Sequence, residues 1–120
     1  EEFFHEVQVN SGIDIQFRKN EPTFTLTSEA ELSIFRGVQE AITNAMRHGQ
    51  ATRITVLLMY NPSQLVVTIK DNGTGAVDLA PKGGLKSLQE RLRAEGGSVT
   101  LEASNPGVTV QMILPNTEKQ

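Results

Sequence analysis

The sequence predicts an α+β fold, a two-layer sandwich in which helices cover one face of a mixed, mostly antiparallel sheet. Two segments, Ser28 to Gly49 and Gly83 to Leu92, place apolar residues at helical spacing. Several shorter runs instead alternate apolar and polar residues with the period of two that half-buried strands show. Because one sheet face can bury the apolar stripes of both helices, we expect both helices on the same side of the sheet.

The strand runs are separated by residues that favour turns. The first run alternates at Ile13, Ile15 and Phe17. Further extended or alternating stretches are predicted at Thr23 to Thr27, Arg53 to Tyr60, Gln64 to Lys70, Val99 to Ala103 and Val108 to Leu114. Turn residues at 61–63 and 105–107 join the last four in pairs, which predicts two antiparallel hairpins. A short helix before the first strand is predicted from the spacing of Phe3, Phe4 and Val7.

The longer helix is the element around which the rest of the chain is arranged. Ser28 with Glu31 predicts a capping box at its start, and Gly49 predicts the residue that ends it. The predicted core face holds Ile34, Phe35, Val38, Ala41, Ile42 and Ala45. The opposite arc holds Glu40, Asn44, Arg47 and His48. This arc fits either ordinary polar surface or a working site, although Asn is unfavourable inside a helix.

Composition narrows the class of protein. The chain has 120 residues and a formal net charge of −3, so we expect one domain and disfavour nucleic acid as the main partner. It contains no cysteine, which excludes disulfides and thiolate chemistry within this sequence. It has neither a bilayer-spanning apolar run nor the pattern of a signal peptide. We expect residues 1–120 to form a soluble, cytoplasmic domain cut from a longer protein, whose membrane anchoring stays open.

A carboxylate with glycines follows the strand that begins at position 64. Val67, Ile69 and Asp71 share one strand face, so Asp71 is expected at the strand end beneath the helix layer. A carboxylate there needs donors, which either the amides of an Asx-turn or the amino group of a ligand such as adenine can supply. Gly73 and Gly75 would permit positive φ and the close approach of a flat ring.

Taken together, these residues predict a pocket with an adenine end and a triphosphate end. Gly83 and Gly84 start the second helix, and the unpaired N–H groups at a helix start bind phosphate. Asn44 is a candidate ligand of Mg²⁺, which prefers oxygen ligands. Glu40 is a candidate base, orienting group or metal ligand. The groups that would neutralise phosphate oxygens are Arg47 and His48.

A resemblance to a known family comes from four stretches in this order: QEAITNAMRH (39–48), DNGTG (71–75), GGLKSLQERLRAEGG (83–97) and PGVTVQMILP (106–115). They resemble the ATP-binding catalytic domain of bacterial sensor histidine kinases, in the superfamily that also contains gyrase, Hsp90 and MutL ATPases. The similarity covers nearly the whole chain and is greatest to the nitrate-sensor and desaturase-sensor branch. It implies the Bergerat α/β sandwich and an ATP-Mg site.

The resemblance also implies an activity and its partners. The domain would donate the γ-phosphoryl group of ATP to a histidine on a separate dimerisation domain of the same protein, upstream of a response regulator. In isolation it would be a monomer that does not autophosphorylate. Glu40 and Asn44 would serve Mg²⁺ and the reacting group, with Arg47 and His48 at the phosphates. Asp71 would bind adenine. Gly73 and Gly75 would form the turn at the purine. The end of the lid would be held against the phosphates by Gly83, Gly84 and Leu85.

Three positions depart from the family pattern or only imitate it. Lys82 stands where the family has a glycine, and its amine is a candidate phosphate contact. Val108 follows Gly107 where the family has threonine, so the hydroxyl of Thr109, still a candidate nucleotide contact, is expected on the other sheet face. His5 followed by Glu6 imitates the phosphoacceptor pattern, but it precedes the first strand and is not expected to be the acceptor.

Two other functions stay open from the sequence. A free-standing serine kinase of the anti-sigma type would use a similar pocket in a complete protein. A degenerate nucleotide-binding or docking module would explain the departures at Lys82 and Val108.

Overall fold

The computed structural model describes residues 12–47, 50–75, 79–104 and 106–116 of the chain. The predicted helix at Phe3, Phe4 and Val7 and the His5 pattern lie outside these residues, as do His48 and Gly49. Within the described residues the elements, in chain order, are β1 Asp14–Lys19, α1 Ser28–Arg47, β2 Arg53–Asn61, β3 Gln64–Asp71, α2 Gly83–Ala94, β4 Ser98–Ala103 and β5 Val108–Pro115.

The sheet has the strand order β1-β2-β3-β5-β4. β1 pairs with β2 in parallel, and the other three pairings are antiparallel. The predicted hairpins are β2–β3 and β4–β5, and β3 lies at the centre between β2 and β5. The prediction of a mixed, mostly antiparallel sheet is therefore confirmed.

Alternation decides which face of the sheet is buried. On β3 the side chains of Leu65, Val67 and Ile69 are at most 2 % exposed. The helices lie on this face, where α1 contacts β3 and β5 and α2 contacts β4. The apolar stripe of α2, Leu85, Leu88 and Leu92, is buried. The two-layer arrangement with helices on one face is thus confirmed, and burial of the two helical stripes stabilises it.

The start of α1 lies one residue from its predicted position. The Oγ1 atom of Thr27 accepts a hydrogen bond from the Ala30 amide at 3.0 Å, so Thr27 caps the helix. Ser28 is then the first helical residue, and Ala30 instead of Glu31 occupies the third position. The predicted capping box of Ser28 and Glu31 was wrong, because two adjacent hydroxyl residues offered alternative caps.

One further prediction about packing was wrong. Phe35 was assigned to the core face of α1, but it is 42 % exposed and lies at the edge of the apolar stripe. The stretch Thr23 to Thr27, predicted to be extended, pairs with no strand. Instead, the ring of Phe24 packs edge-on against Tyr60 with centroids 5.2 Å apart, and the hydroxyl of Thr23 donates to the carbonyl of Asn61 at 2.8 Å. A buried ring and a side-chain bond hold this segment without ladder pairing.

α2 ends at Ala94, shortly before Gly96 and Gly97, the pair that the sequence predicts to terminate it. Among the described residues no helix is long and apolar enough to cross a membrane.

Candidate functional site

The carboxylate of Asp71 lies at the end of β3 on the face that the helices cover. It is 9 % exposed and is the one polar or charged side chain classed as buried in the described part of the chain. Its Oδ1 atom accepts hydrogen bonds from the amide of Gly73 at 2.8 Å and of Val108 at 3.3 Å. The Asx-turn interpretation therefore holds for one oxygen. No donor to Oδ2 is found among the described residues, so this oxygen can accept a bond from a ligand.

Gly107 lets the chain before β5 pack directly against Asp71. Gly107 has φ +96°, and a Cβ there would overlap the main-chain oxygen of Asp71 and lie 2.7 Å from Oδ1. Gly75 has φ +90° and faces the carbonyl of Gly107. Gly73, by contrast, does not have positive φ, contrary to the prediction. Its contribution is the amide that donates to Asp71, because the Asx-turn needs that N–H and not a left-handed backbone.

The C-terminal turn of α1 lies at the same end of the sheet as Asp71. The Ala51 amide donates to the carbonyl of Ala45 at 3.0 Å, which folds the chain after α1 back toward the start of β2. Ile54 in β2 is the register partner of Asp71. Asn44 is half-buried in this turn. The structure thus brings Asn44 and Asp71 to one end of the sheet, as predicted.

Two basic residues after Asn44, Arg47 and His48, were predicted to contact phosphate. Arg47, the last residue of α1, is exposed. His48 lies outside the described residues.

The start of α2 faces the side chain of Glu40. Lys82 occupies the N-cap position with no side-chain cap bond, and Gly83 follows with φ +55°. A Cβ at Gly84 would lie 3.1 Å from both Cδ and Oε1 of Glu40. The carboxylate therefore rests beside the first turn of α2, where the helix has a partial positive charge. The predicted acid and the predicted phosphate-binding glycines are brought together.

Lys82 and Leu85 flank these two glycines in the sequence. The Leu85 side chain is only 1 % exposed and belongs to the core, and its amide donates to the carbonyl of Lys82 at 3.1 Å. Leu85 therefore supports the turn through packing. The Lys82 side chain is exposed. This carbonyl of Lys82 also accepts from the Lys86 amide at 3.4 Å, so the amides of the first turn are partly used within the helix.

A groove of about 560 Å³ runs between α1 and α2 beside this contact. Glu40 and Gly84 line it, together with Arg36 and Arg91, whereas Asn44 and Asp71 do not. The described residues thus form two parts of the candidate site, one around Asp71 and one around Glu40. Residues 76–78, which lie along the chain between the glycine turn and α2, are outside the described residues. No cluster of three or more His, Cys, Asp or Glu side chains able to hold a metal is found within the described ranges.

Thr109 lies away from the carboxylate of Asp71. It is the register partner of Lys70, and its hydroxyl is 2.8 Å from that of Ser104. Val110 and Met112 alternate with it and are buried beneath the helices. The hydroxyl therefore lies on the opposite sheet face, as its position after Val108 predicted, and it is not near Asp71.

Sequence reasoning missed two residues that shape the site. Asn72 bonds the glycine turn to the start of β2. Gly37 lies where α1 and α2 touch, because a Cβ there would overlap Leu88 and lie 3.0 Å from Cε of Met112. A glycine inside a long amphipathic helix was the available signal for this close contact, since glycine weakens a helix unless packing requires it.

Comparisons with known proteins agree with this geometry. The family of histidine kinase-, DNA gyrase B- and HSP90-like ATPases matches residues 29–118. Sensor histidine kinase YxjM of Bacillus subtilis is 32 % identical over 117 residues, covering 92 % of this chain and 28 % of its own length. Oxygen sensor histidine kinase NreB of Staphylococcus carnosus is 29 % identical over 121 residues, covering 97 % and 35 %. The chain thus spans about a third of the length of these relatives.

Solved structures show the same fold. The ATP-binding domain of PrrB from Mycobacterium tuberculosis superposes with a TM-score of 0.75 at 22 % identity, covering 93 % of this chain and 86 % of that one. The catalytic domain of histidine kinase ThkA superposes with a TM-score of 0.77 at 19 % identity, covering 98 % and 88 %. The motifs, the fold and these relatives agree, and the chain belongs to the family of histidine kinase-, DNA gyrase B- and HSP90-like ATPases.

Proposed function

We propose that this domain binds ATP with Mg²⁺ and donates the γ-phosphoryl group to a histidine on a separate dimerisation domain of the same full-length protein. The phosphoryl group would pass from there to a response regulator, and the domain alone would be monomeric. Family membership and the sensor-kinase relatives support the general role of a kinase ATPase domain. The observation that carries the proposal is the carboxylate of Asp71, because the described residues supply backbone donors to its Oδ1 atom and no donor to Oδ2.

The adenine end of the site follows from that carboxylate. Oδ2 of Asp71, for which the described residues supply no donor, would accept a hydrogen bond from the exocyclic amine of adenine. A flat ring would approach along the glycine turn, where Gly73 and Gly75 carry no side chain. A charged acceptor that is already oriented by two amides makes a strong and directional bond.

The phosphate end follows from α1 and the start of α2. The amide oxygen of Asn44 would be a protein ligand of Mg²⁺, which commonly takes few protein ligands and keeps phosphate oxygens and waters as the others. The lack of an acidic cluster in the described ranges is compatible with that mode of binding. Bound Mg²⁺ would neutralise charge on the phosphate oxygens. The first turn of α2 at Gly83 and Gly84, with Arg47, His48 and Lys82, would bind the phosphates.

Glu40 would act as the base, or as the orienting group, for the histidine that attacks the γ-phosphate. Its carboxylate lies beside Gly84, where a terminal phosphate at the start of α2 would be within its reach. Catalysis would then consist mainly of positioning and charge stabilisation, as in other phosphoryl transfers. The sensor-kinase relatives favour histidine over serine as the acceptor.

A calorimetric titration with Mg-ATP tests the binding half of the proposal. Replacing Asp71 with Asn removes the charged acceptor while keeping the oxygen that binds Gly73, so we expect about a 10- to 100-fold loss of affinity. Asp14→Asn is the matched control, because that side chain is 50 % exposed at the sheet edge. A wild-type chain that binds no Mg-ATP would favour the docking module and count against both kinase functions.

A phosphotransfer assay tests the role of Glu40. With the dimerisation domain of the full-length protein supplied, Glu40→Gln should bind Mg-ATP within about fivefold of the wild type yet transfer no phosphoryl group. Transfer at the wild-type rate would show that the base is another residue.

A further inference from the structure

The side chain of Asn72 makes three hydrogen bonds although the residue is exposed. Its Oδ1 atom accepts from the amides of Thr52 and Arg53, both at 2.9 Å, and its Nδ2 donates to Oγ1 of Thr52 at 3.0 Å. Its main-chain amide donates to the carbonyl of Arg53 at 3.2 Å. An exposed asparagine in a glycine turn normally bonds its own turn, whereas these bonds all reach another segment of the chain.

That segment is the connection between α1 and β2. Thr52 follows Ala51, whose amide donates to the carbonyl of Ala45 in the last turns of α1. Gln50, in the same connection, has a left-handed backbone with φ +55°. Two hydrogen-bonded steps therefore join Asn72 to the helical turn that carries Asn44.

The carboxylate of Asp71 does not depend on these bonds. Its Oδ1 atom is oriented by the amides of Gly73 and Val108, and its backbone is in register with Ile54. The distinct effect of the Asn72 side chain is thus to fix the connection from α1 against the glycine turn.

We propose that Asn72 is a positioning residue. It holds the adenine-binding end of the site, at Asp71, at a fixed distance from the metal- and phosphate-binding end, at Asn44. This inference rests on the proposed function. A ligand that spans both ends gains from their fixed separation, as two linked binding events do. A ligand that contacts the adenine end alone gains nothing from it.

The test compares two ligands on the same variants. Asn72→Ala removes the acceptor for two backbone amides, and we expect it to weaken Mg-ATP binding about tenfold. Adenosine, followed by chemical-shift titration, should weaken by less than about twofold, because it contacts one end only. Asn72→Asp keeps the acceptor, and the Thr52 hydroxyl can donate to it, so this variant should bind Mg-ATP within about threefold of the wild type at a salt concentration that screens the added charge.

Each outcome decides the matter. Selective loss of Mg-ATP affinity in Asn72→Ala, restored in Asn72→Asp, supports the proposal. Equal loss of both ligands would mean that Asn72 supports only the adenine end, and unchanged binding of both would mean that the attachment is dispensable; either result overturns it. If Asn72→Ala does not fold, Asn72→Ser, whose shorter side chain cannot reach both amides, gives the same comparison. A wild-type protein that fails to bind Mg-ATP refutes the proposed function instead.

Discussion

Replacing Gly107 with alanine tests how closely the β4–β5 turn packs on the carboxylate of Asp71. The backbone of Gly107 has φ +96°, a region that disfavours residues with a Cβ. A Cβ there would overlap the main-chain oxygen of Asp71 and lie 2.7 Å from Oδ1. The main-chain oxygen belongs to a strand fixed on both sides by β2 and β5, so it cannot move away at low cost.

The expected loss of unfolding free energy has two parts. The left-handed backbone costs about 1–2 kcal/mol for a residue other than glycine. Overpacking against fixed neighbours costs about 1–3 kcal/mol more. Gly96→Ala is the matched control, because its φ is +86° but its Cβ would lie at an ordinary 3.6 Å from Cγ of Pro115. We therefore expect a loss of about 2–5 kcal/mol for Gly107→Ala and about 1–2 kcal/mol for Gly96→Ala.

Urea unfolding followed by circular dichroism measures both losses. Mg-ATP titration of the folded variants then reports on the site, where Gly107→Ala should bind more weakly than Gly96→Ala, because the added methyl group presses on Oδ1 of Asp71. Equal losses of stability in the two variants would refute the reasoning, since they would show that the turn relaxes away from Asp71. Unchanged Mg-ATP affinity in Gly107→Ala would show that the carboxylate keeps its position.

Two further predictions concern the helices and the core. Gly37→Ala gains about 1 kcal/mol of helix propensity but overlaps Leu88 at a cost of about 1–3 kcal/mol, so we expect a small net destabilisation. A double-mutant cycle with Leu88→Ala should show strong coupling, and additive losses would contradict the contact. For Tyr60, burial first and the charge of Glu31 second raise the pKa of the phenol above its ordinary 10.0. The folded state then holds the proton more tightly, so its stabilising contribution is present below about pH 10 and is lost as the pH rises through the raised pKa. Unfolding free energies from about pH 9 to about pH 11 should therefore fall more steeply for the wild type than for Tyr60→Phe, and parallel profiles would contradict the shift.

The fold could be predicted because its periodicities are regular. Leu65, Val67 and Ile69 alternate in sequence and are all buried, and the Leu85, Leu88 and Leu92 stripe faces the core as its spacing required. The errors lie where local options are nearly equivalent. Thr27 and Ser28 can each cap a helix, and Phe35 lies at the margin of the apolar arc, where one step of rotation decides exposure.

For the candidate site, the sequence predicts which end of the sheet its residues share but not which contacts they make. Asp71 and Asn44 lie at one end of the sheet because strand and helix directions require it. The approach of Glu40 to Gly84 depends on how closely α1 and α2 pack, and Gly37 signals close packing in the sequence without specifying which side chains then meet. Asn72 looks like any turn asparagine in sequence, and its bonds to Thr52 appear only once β2 and β3 are paired.

Glu40 leaves its own negative charge over the first turn of α2, next to Gly84. Under the proposed function, the carboxylate of Glu40 and a phosphate of the bound nucleotide would compete for the partial positive charge at the N-terminus of α2. This competition would reduce the binding free energy of the phosphate by about 0.3–1 kcal/mol, which is the usual stabilisation of a negative charge near a helix N-terminus. A factor of roughly two to five in apparent affinity would then be set by the same side chain that the reaction later needs.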